Sequence, residues 1–206
     1  MRAARRLGAI LALALCLASA AAHAEGRVAG RVAFELPGMQ LADLGPVVVY
    51  LADAPAGAPA PAGGDSPSVH QKDARFAPGF LAVAAGARVA MPNDDLIYHN
   101  VFSYSKPNDF DLGLYPAGES RSVALAHPGV VKLYCSIHES MNGTIFVAPS
   151  RWFAVAAPDG RFELRGVPPG RYRLRTWNEK LPDTEHAVVV PAGGDATLDV
   201  SLVPQR

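Results

Sequence analysis

Cysteine is almost missing from this sequence: 206 residues hold two, Cys16 and Cys135. Cys16 falls in an N-terminal apolar run. If that run is cleaved, the lone Cys135 can form no internal disulfide, even in an oxidising compartment. An excess of basic charge is missing as well, since Lys plus Arg and Asp plus Glu each number 19. Without Arg2, Arg5 and Arg6 the balance becomes 16 against 19, a formal charge of −3, which excludes a basic nucleic-acid footprint as the main theme. No stretch keeps helical periodicity over three turns, so the chain reads as strands. No apolar run is long enough to cross a bilayer: Leu7 to Ala22 is about 16 residues where roughly 20 are needed.

That short run has the form of a secretory signal peptide. Three arginines precede it, and Ala22-His23-Ala24 sets small residues at both positions expected before a cleavage point. Residues 1–24 are therefore expected to be removed and the mature protein to be exported to the periplasm, with no membrane span left. Arg5-Arg6 leaves the twin-arginine route open beside the general one, since such motifs are only addresses. Leu15 stands where lipidation of Cys16 would require a small residue. The 182 residues that follow can bury one large core or two small ones.

The mature chain is punctuated like an all-β protein. Residues 27–50 alternate through Val28, Gly30, Val32 and Phe34 and then run apolar from Pro46 to Leu51, giving two strands. Residues 52–68 follow as a linker or loop, because Ala58-Pro59-Ala60-Pro61-Ala62-Gly63-Gly64 cannot build a packed core. Strand signals resume over 69–148, at 80–84, 87–91, 96–102, 120–125, 130–135 and 143–148. Ala85-Gly86, Pro116-Ala117-Gly118 and His127-Pro128-Gly129 separate them as turns. This pattern predicts a Greek-key β-sandwich of antiparallel and mixed sheets. Residues 149–206 read as a second small sandwich. Asp159-Gly160-Arg161-Phe162-Glu163-Leu164 is a turn and an alternating strand, Tyr172, Leu174 and Thr176 keep the two-residue period, and 188–190 and 197–200 add two more strands. Strict alternation places Arg171, Arg173 and Arg175 on one face, read as a solvated face balanced by Asp159, Glu163 and Glu179, with a docking stripe as the alternative.

Chemistry concentrates in Tyr134-Cys135-Ser136-Ile137-His138-Glu139-Ser140-Met141, where a thiolate, an imidazole and a thioether fall within seven residues. With His99 the stretch offers the two histidines, one cysteine and weak axial methionine that tune copper for one-electron transfer. Thiolate and imidazole bind both Cu(I) and Cu(II), and a weak thioether disfavours the tetragonal geometry that suits only the oxidised ion. An exported lone thiol also needs protection, which a metal or deep burial provides. Plainer readings stand beside each ligand: His99 as a backbone-satisfying histidine, His138 as a solvated one, Cys135 as an inert core residue, Met141 as a gap-filler. Zinc could take the same nitrogen and sulfur donors. His70, His127 and His186 lie outside the motif and are expected at the surface or in caps. No oxyanion motif or third orienting residue accompanies Cys135 and His138, so no catalytic thiol and no enzyme activity are expected.

Pro92-Asn93, His99-Asn100-Val101-Phe102-Ser103, Gly118-Glu119-Ser120 and Pro128-Gly129 before Tyr134-Cys135, with Cys-x-x-His-x-x-Met after it, together resemble the plastocyanin and azurin superfamily of cupredoxins. The ligand loop is spaced as in the amicyanin and pseudoazurin branch, and the resemblance covers about residues 69–148. It implies one mononuclear type 1 copper site with His99, Cys135 and His138 as equatorial ligands and Met141 as the axial one. Asn100 would brace the ligand loop through side-chain hydrogen bonds. It also implies transport of single electrons between redox partners such as a c-type cytochrome or a periplasmic oxidoreductase. A copper-binding structural or delivery module is the alternative with the same ligands. The Asp109–Tyr115 segment departs from a minimal cupredoxin and is similar to plastocyanin-like proteins labelled methylamine utilization proteins. A multicopper oxidase would need histidines where Tyr134 and Ser136 stand, and a binuclear purple site would need a second ligand cysteine. Asp94, Asp95, Asp109 and Asp111 could guide a positively charged partner, with turn-forming aspartates as the plainer reading.

Asp-Gly-Arg-Phe and Pro-Pro-Gly-Arg-Tyr, at 159–162 and 168–172, resemble a carboxypeptidase regulatory-like or transthyretin-like β-sandwich module, which implies a structural role and no hydrolysis. Gly26 to Val32 and Val47 to Leu51 resemble the opening strands of that module. The copper sandwich could thus be inserted between its early and late strands. The simpler reading gives 45–51 to the copper sandwich and leaves a separate C-terminal module.

Overall fold

The computed structural model describes residues 25–54 and 66–203. The expected leader and most of the 52–68 linker lie outside the described residues. The chain opens with β1 (Gly26–Phe34) and β2 (Val48–Leu51). Then come β3 (His70–Lys72), β4 (Arg75–Ala77), β5 (Phe80–Ala84), β6 (Ala87–Pro92), β7 (His99–Ser103), β8 (Phe110–Tyr115), β9 (Ser120–Leu125), β10 (Gly129–Tyr134) and β11 (Asn142–Ala148). The last are β12 (Phe153–Val155), β13 (Arg161–Val167), β14 (Gly170–Asn178), β15 (Leu181–Val190), β16 (Asp195–Thr197) and β17 (Val200–Leu202). Among the described residues the only helical element is a 3₁₀ turn, Leu41–Leu44.

The middle strands make one sandwich. Its main sheet has the order β5-β11-β10-β7-β8, with β5 parallel to β11 and the other neighbours antiparallel. The ladders β3-β4 and β6-β9 pack against it, and Val89, Val101, Leu125, Val131, Leu133 and Ile145 fill the space between. The first two strands pair with the last six. β1 is antiparallel to β13 and parallel to β16 and β17, while β2 lies between β12 and β14, with β15 beyond. These two sheets enclose Val28, Val49, Leu51, Trp152, Leu164 and Leu174.

The continuous apolar run of β2 has a direct cause. Val49 and Leu51 face the core of the outer sandwich, and Val48 and Tyr50 face Phe146 and Ala148 of β11. A strand buried on both faces has no polar side to alternate with. The seam between the sandwiches is aromatic: Trp177 stacks on Phe80 with ring centroids 5.8 Å apart and meets Phe146 at 5.0 Å, and Tyr50 lies 5.3 Å from Phe146. Lys132 crosses the same seam to the Glu179 carboxylate.

The all-β class, with two sandwiches and a mixed sheet, is the one expected. β3, β4 and β12 are not among the expected strands, the strand expected at 197–200 is broken at Leu198 and Asp199 into β16 and β17, and three further details differ. The strand expected at 96–102 starts only at His99, because Asn93 Nδ2 donates to the Ile97 carbonyl at 2.8 Å and holds the preceding residues in a loop where Leu96 is 97% exposed. β8 occupies the Asp109–Tyr115 segment, for which no strand was expected. Glu179 turns to Lys132 and not to the arginine face. On that face Arg171 and Arg173 are exposed, with Arg173 paired to Asp53 at 3.1 Å, while Arg175 is half-buried and lies 2.9 Å from the Glu185 carboxylate.

Candidate metal centre

Two elements bring the motif residues together. β10 ends at Tyr134, which pairs with Asn142 at the start of β11, so Cys135 to Met141 form the connecting loop. Within it the Met141 N–H donates to the His138 carbonyl at 2.9 Å, a turn that brings the last ligand candidate back under the sheet. His99 opens β7 opposite Tyr115 of β8. The 36-residue gap between His99 and Cys135 closes because β7 and β10 are neighbours in the main sheet.

Cys135 Sγ lies 3.9 Å from His99 Nδ1 and 4.0 Å from His138 Nδ1. One donor atom from each of the three residues falls within 4.8 Å of the others, and the imidazole centroids are 4.8 Å apart with planes tilted 56°. His99 is 0% and Cys135 6% exposed, whereas His138 is half-buried. Met141 is buried in the same apolar cluster as Cys135. Nitrogen and sulfur donors bind a transition metal at about 2.0–2.3 Å, so two donors that share one ion lie within about 4.3 Å of each other. Both sulfur–nitrogen separations meet that limit. A thiolate with two imidazoles suits copper or zinc and not the hard cations that prefer oxygen.

Hydrogen bonds hold both sides of this cluster. Asn100 Oδ1 accepts from the Ser136 N–H at 2.7 Å and from the Ser136 hydroxyl at 2.9 Å, which ties the ligand loop to β7. On the far side, His99 Nε2 lies 2.7 Å from Asp95 Oδ2. Burial pushes the Asp95 carboxyl up, but hydrogen bonds from the Ala74 N–H, His99 and the Asp73 N–H outweigh it and hold the group below the usual carboxylate range. Next to His99, Tyr115 is fully buried and burial pushes its pKa up to about 12. Its hydroxyl donates to the Met91 carbonyl at 2.7 Å and accepts from Gln71 Nε2. A groove of about 490 Å³ lined by Phe102, Tyr104, Tyr134 and Lys132 reaches Cys135 from the outer sheet face.

The structure thus gathers His99, Cys135 and His138, with Asn100 tied to their loop, at one end of the middle sandwich, and buries Met141 in the same core. His70 stands apart and pairs with Asp94 at 2.6 Å, and His127 is exposed. His186 is half-buried on β15 of the outer sandwich. Of the acidic residues read as a possible guide, Asp95 alone turns inward. Asp95 points inward to His99, Asp94 pairs with His70, Asp109 with Lys106 at 2.7 Å, and Asp111 accepts from the Gly113 N–H at 2.8 Å. Sequence reasoning missed the contacts of Asp95, Gln71 and Tyr115. Only Asp95 carried a signal, its place four residues before His99.

No family model matches the sequence, and no curated protein matches it. Solved structures do. A purple cupredoxin from Nitrosopumilus maritimus is 22% identical, with 40% of this chain and 99% of that one covered at a TM-score of 0.36. A tryptophan-to-tyrosine variant of amicyanin in its reduced state is 19% identical, with 42% and 86% covered at 0.38. A proline-to-glycine variant of amicyanin, reduced at pH 4, is 18% identical, with 48% and 97% covered at 0.39.

Proposed function

We propose that this protein is an exported carrier of single electrons, a mononuclear type 1 copper protein in which His99, Cys135 and His138 hold the metal and Met141 is the weak axial ligand. The observation that supports this most is the convergence of two imidazole Nδ1 atoms, at 3.9 and 4.0 Å, on one buried thiol. Copper in such a donor set supplies a one-electron couple. The chain's own groups set the conditions. Asn100 pins the loop at Ser136, so Cys135 and His138 keep their places through the redox cycle. Burial shields the Cys135 thiol from bulk oxidants. The half-buried His138 ring, beside Ile137 at 52% exposure, is the ligand nearest solvent and the exit path toward a redox protein such as a c-type cytochrome. In the same reading residues 1–24 direct export to the periplasm. The pairing of β1 and β2 with β12 to β17 supports residues 69–148 as a copper domain inserted into a structural sandwich.

The test is direct. Residues 25–206 loaded with Cu(II) are expected to bind one ion per chain, with an intense visible thiolate-to-copper band and a reversible one-electron potential. Cys135→Ser is expected to abolish the band and Met141→Leu mainly to change the potential, because the thioether is the weak ligand. A Cys135→Ser protein with the same spectrum and copper content would sink the assignment.

A further inference from the structure

We infer that Asp95 is the positioning residue of this centre: its carboxylate fixes the His99 ring with Nδ1 toward Cys135, and its charge favours the oxidised metal. The inference rests on the copper reading above, but its geometric half stands on the metal-free protein. Asp95 Oδ1 and Oδ2 each accept a backbone N–H, so the group acts as an acceptor and the 2.7 Å contact fits His99 Nε2 as its donor. In the neutral ring Nδ1 then keeps its lone pair, 3.9 Å from the Cys135 sulfur. A ligand histidine whose second nitrogen donates to a carboxylate is held in one tautomer and becomes a stronger donor to the metal.

Asp95 is itself held from outside the site. β3 and β4 are joined by a two-residue turn in which Asp73 and Ala74 have φ of 53° and 50°, the left-handed region that alanine rarely occupies. Strain of this kind persists only where the surroundings demand it. Here the demand is visible: the Asp73 N–H donates to Asp95 Oδ1 at 2.7 Å and the Ala74 N–H to Asp95 Oδ2 at 2.9 Å. From its own side the Asp95 N–H donates to Asn93 Oδ1 at 3.1 Å, and Asn93 Nδ2 is spent on the carbonyls of Ile97 and Tyr115. The carboxylate therefore cannot turn away from His99 without abandoning the hairpin.

Asp95→Asn separates charge from geometry. The amide oxygen can still accept from Ala74 and His99, with only the Asp73 N–H bond given up to the amide NH2, so copper is expected to stay bound while the reduction potential rises. A tenfold loss of preference for the oxidised ion corresponds to about 59 mV for one electron. Asp95→Ala removes the clamp as well, and a fall in copper affinity of about 10- to 100-fold is expected, with a changed electron paramagnetic spectrum. Nitrogen-15 NMR of the metal-free protein reads the tautomer alone: neutral His99 is expected as Nε2–H, with that bias lost in Asp95→Ala. An Nδ1–H tautomer in the unmodified protein, or a potential unmoved in Asp95→Asn, overturns the inference. An Nε2–H tautomer in a protein that binds no copper supports the positioning role and defeats only the copper reading.

Discussion

The middle sandwich buries Gln71, Asn93, His99, Asn100, Ser103 and Asn108, whereas the outer one buries only Ser150, Thr176 and Asn178 among the described polar residues. Their charges differ in direction too. In the outer sandwich Arg27–Asp195, Arg161–Asp159 and Arg165–Glu163 lie on the surface, where an ion pair contributes about 0–1 kcal/mol. In the middle sandwich Asp95 points inward to a fully buried histidine. Polar groups taken out of water cost stability unless each finds a partner. Of the middle sandwich's buried polar groups, Gln71, Asn93, His99 and Asn100 lie around the candidate centre and Asn108 binds the His127 backbone in the β9–β10 turn, while the outer sandwich keeps an almost wholly apolar core. One architecture therefore supports two economies: a scaffold that is stable because it is simple, and a site that is specific because it is polar.

The largest way to break this contrast is at the seam. Phe146 is 4% exposed and touches both Tyr50 and Trp177, so Phe146→Ala is expected to cost about 3–5 kcal/mol and to split one calorimetric transition into two. A single transition in the variant would show that the sandwiches are coupled elsewhere. Next comes alkaline pH. Tyr115 holds its proton to about pH 12 in the folded state and to about 10 when unfolded, so its contribution is complete below pH 10 and is lost as pH rises through 12. That loss is on the order of 2–3 kcal/mol. Denaturant titrations across this range should show Tyr115→Phe shrinking the alkaline limb, with the remainder belonging to Tyr50 and Tyr172, whose pKa values burial also raises. A limb unchanged in Tyr115→Phe would place it in the outer sandwich instead.

Asn100→Ala leaves the Ser136 N–H without its acceptor and is expected to cost about 1–3 kcal/mol. Faster amide exchange confined to residues 135–141 is the signature to measure, and uniform protection would refute the brace. The smallest effect is a gain. Ala74→Gly relieves the left-handed backbone and is expected to stabilise by about 1 kcal/mol, with the denaturation midpoint raised and the position of Asp95 unchanged.

Much of this was legible in the sequence, for reasons that vary by region. A strand with one buried face, Ser120–Leu125, lies where its residues and flanking turns put it. Cys135 and His138 could be found because their spacing is local, and His99 because its neighbours repeat a known pattern. What escaped was information carried by pairing. β3 and β4 are three residues each and have no period to read, and the turn joining them lacks the glycine that usually marks a hairpin. Asp95 looked like a surface charge because a carboxylate in a loop usually is one. Its inward direction is set by the two amides of a hairpin more than twenty residues earlier.

The pairing of β1 also has a consequence for the order of events during folding. Arg27 meets Glu163 across 136 residues of chain, so a protein emerging N-terminus first must keep β1 and β2 unpaired until the last strands arrive. Contacts of such separation are slow to form, because the entropy of closing the loop is lost before the contact returns anything. The middle sandwich shortens that search. Val49 pairs with Ala154, so a folded middle sandwich turns the long excursion between β2 and β12 into a compact body whose two ends already lie close together. Damage to the core around the candidate centre should therefore delay closure of the outer sandwich, whereas damage to the outer core should leave the middle one to fold at its own rate.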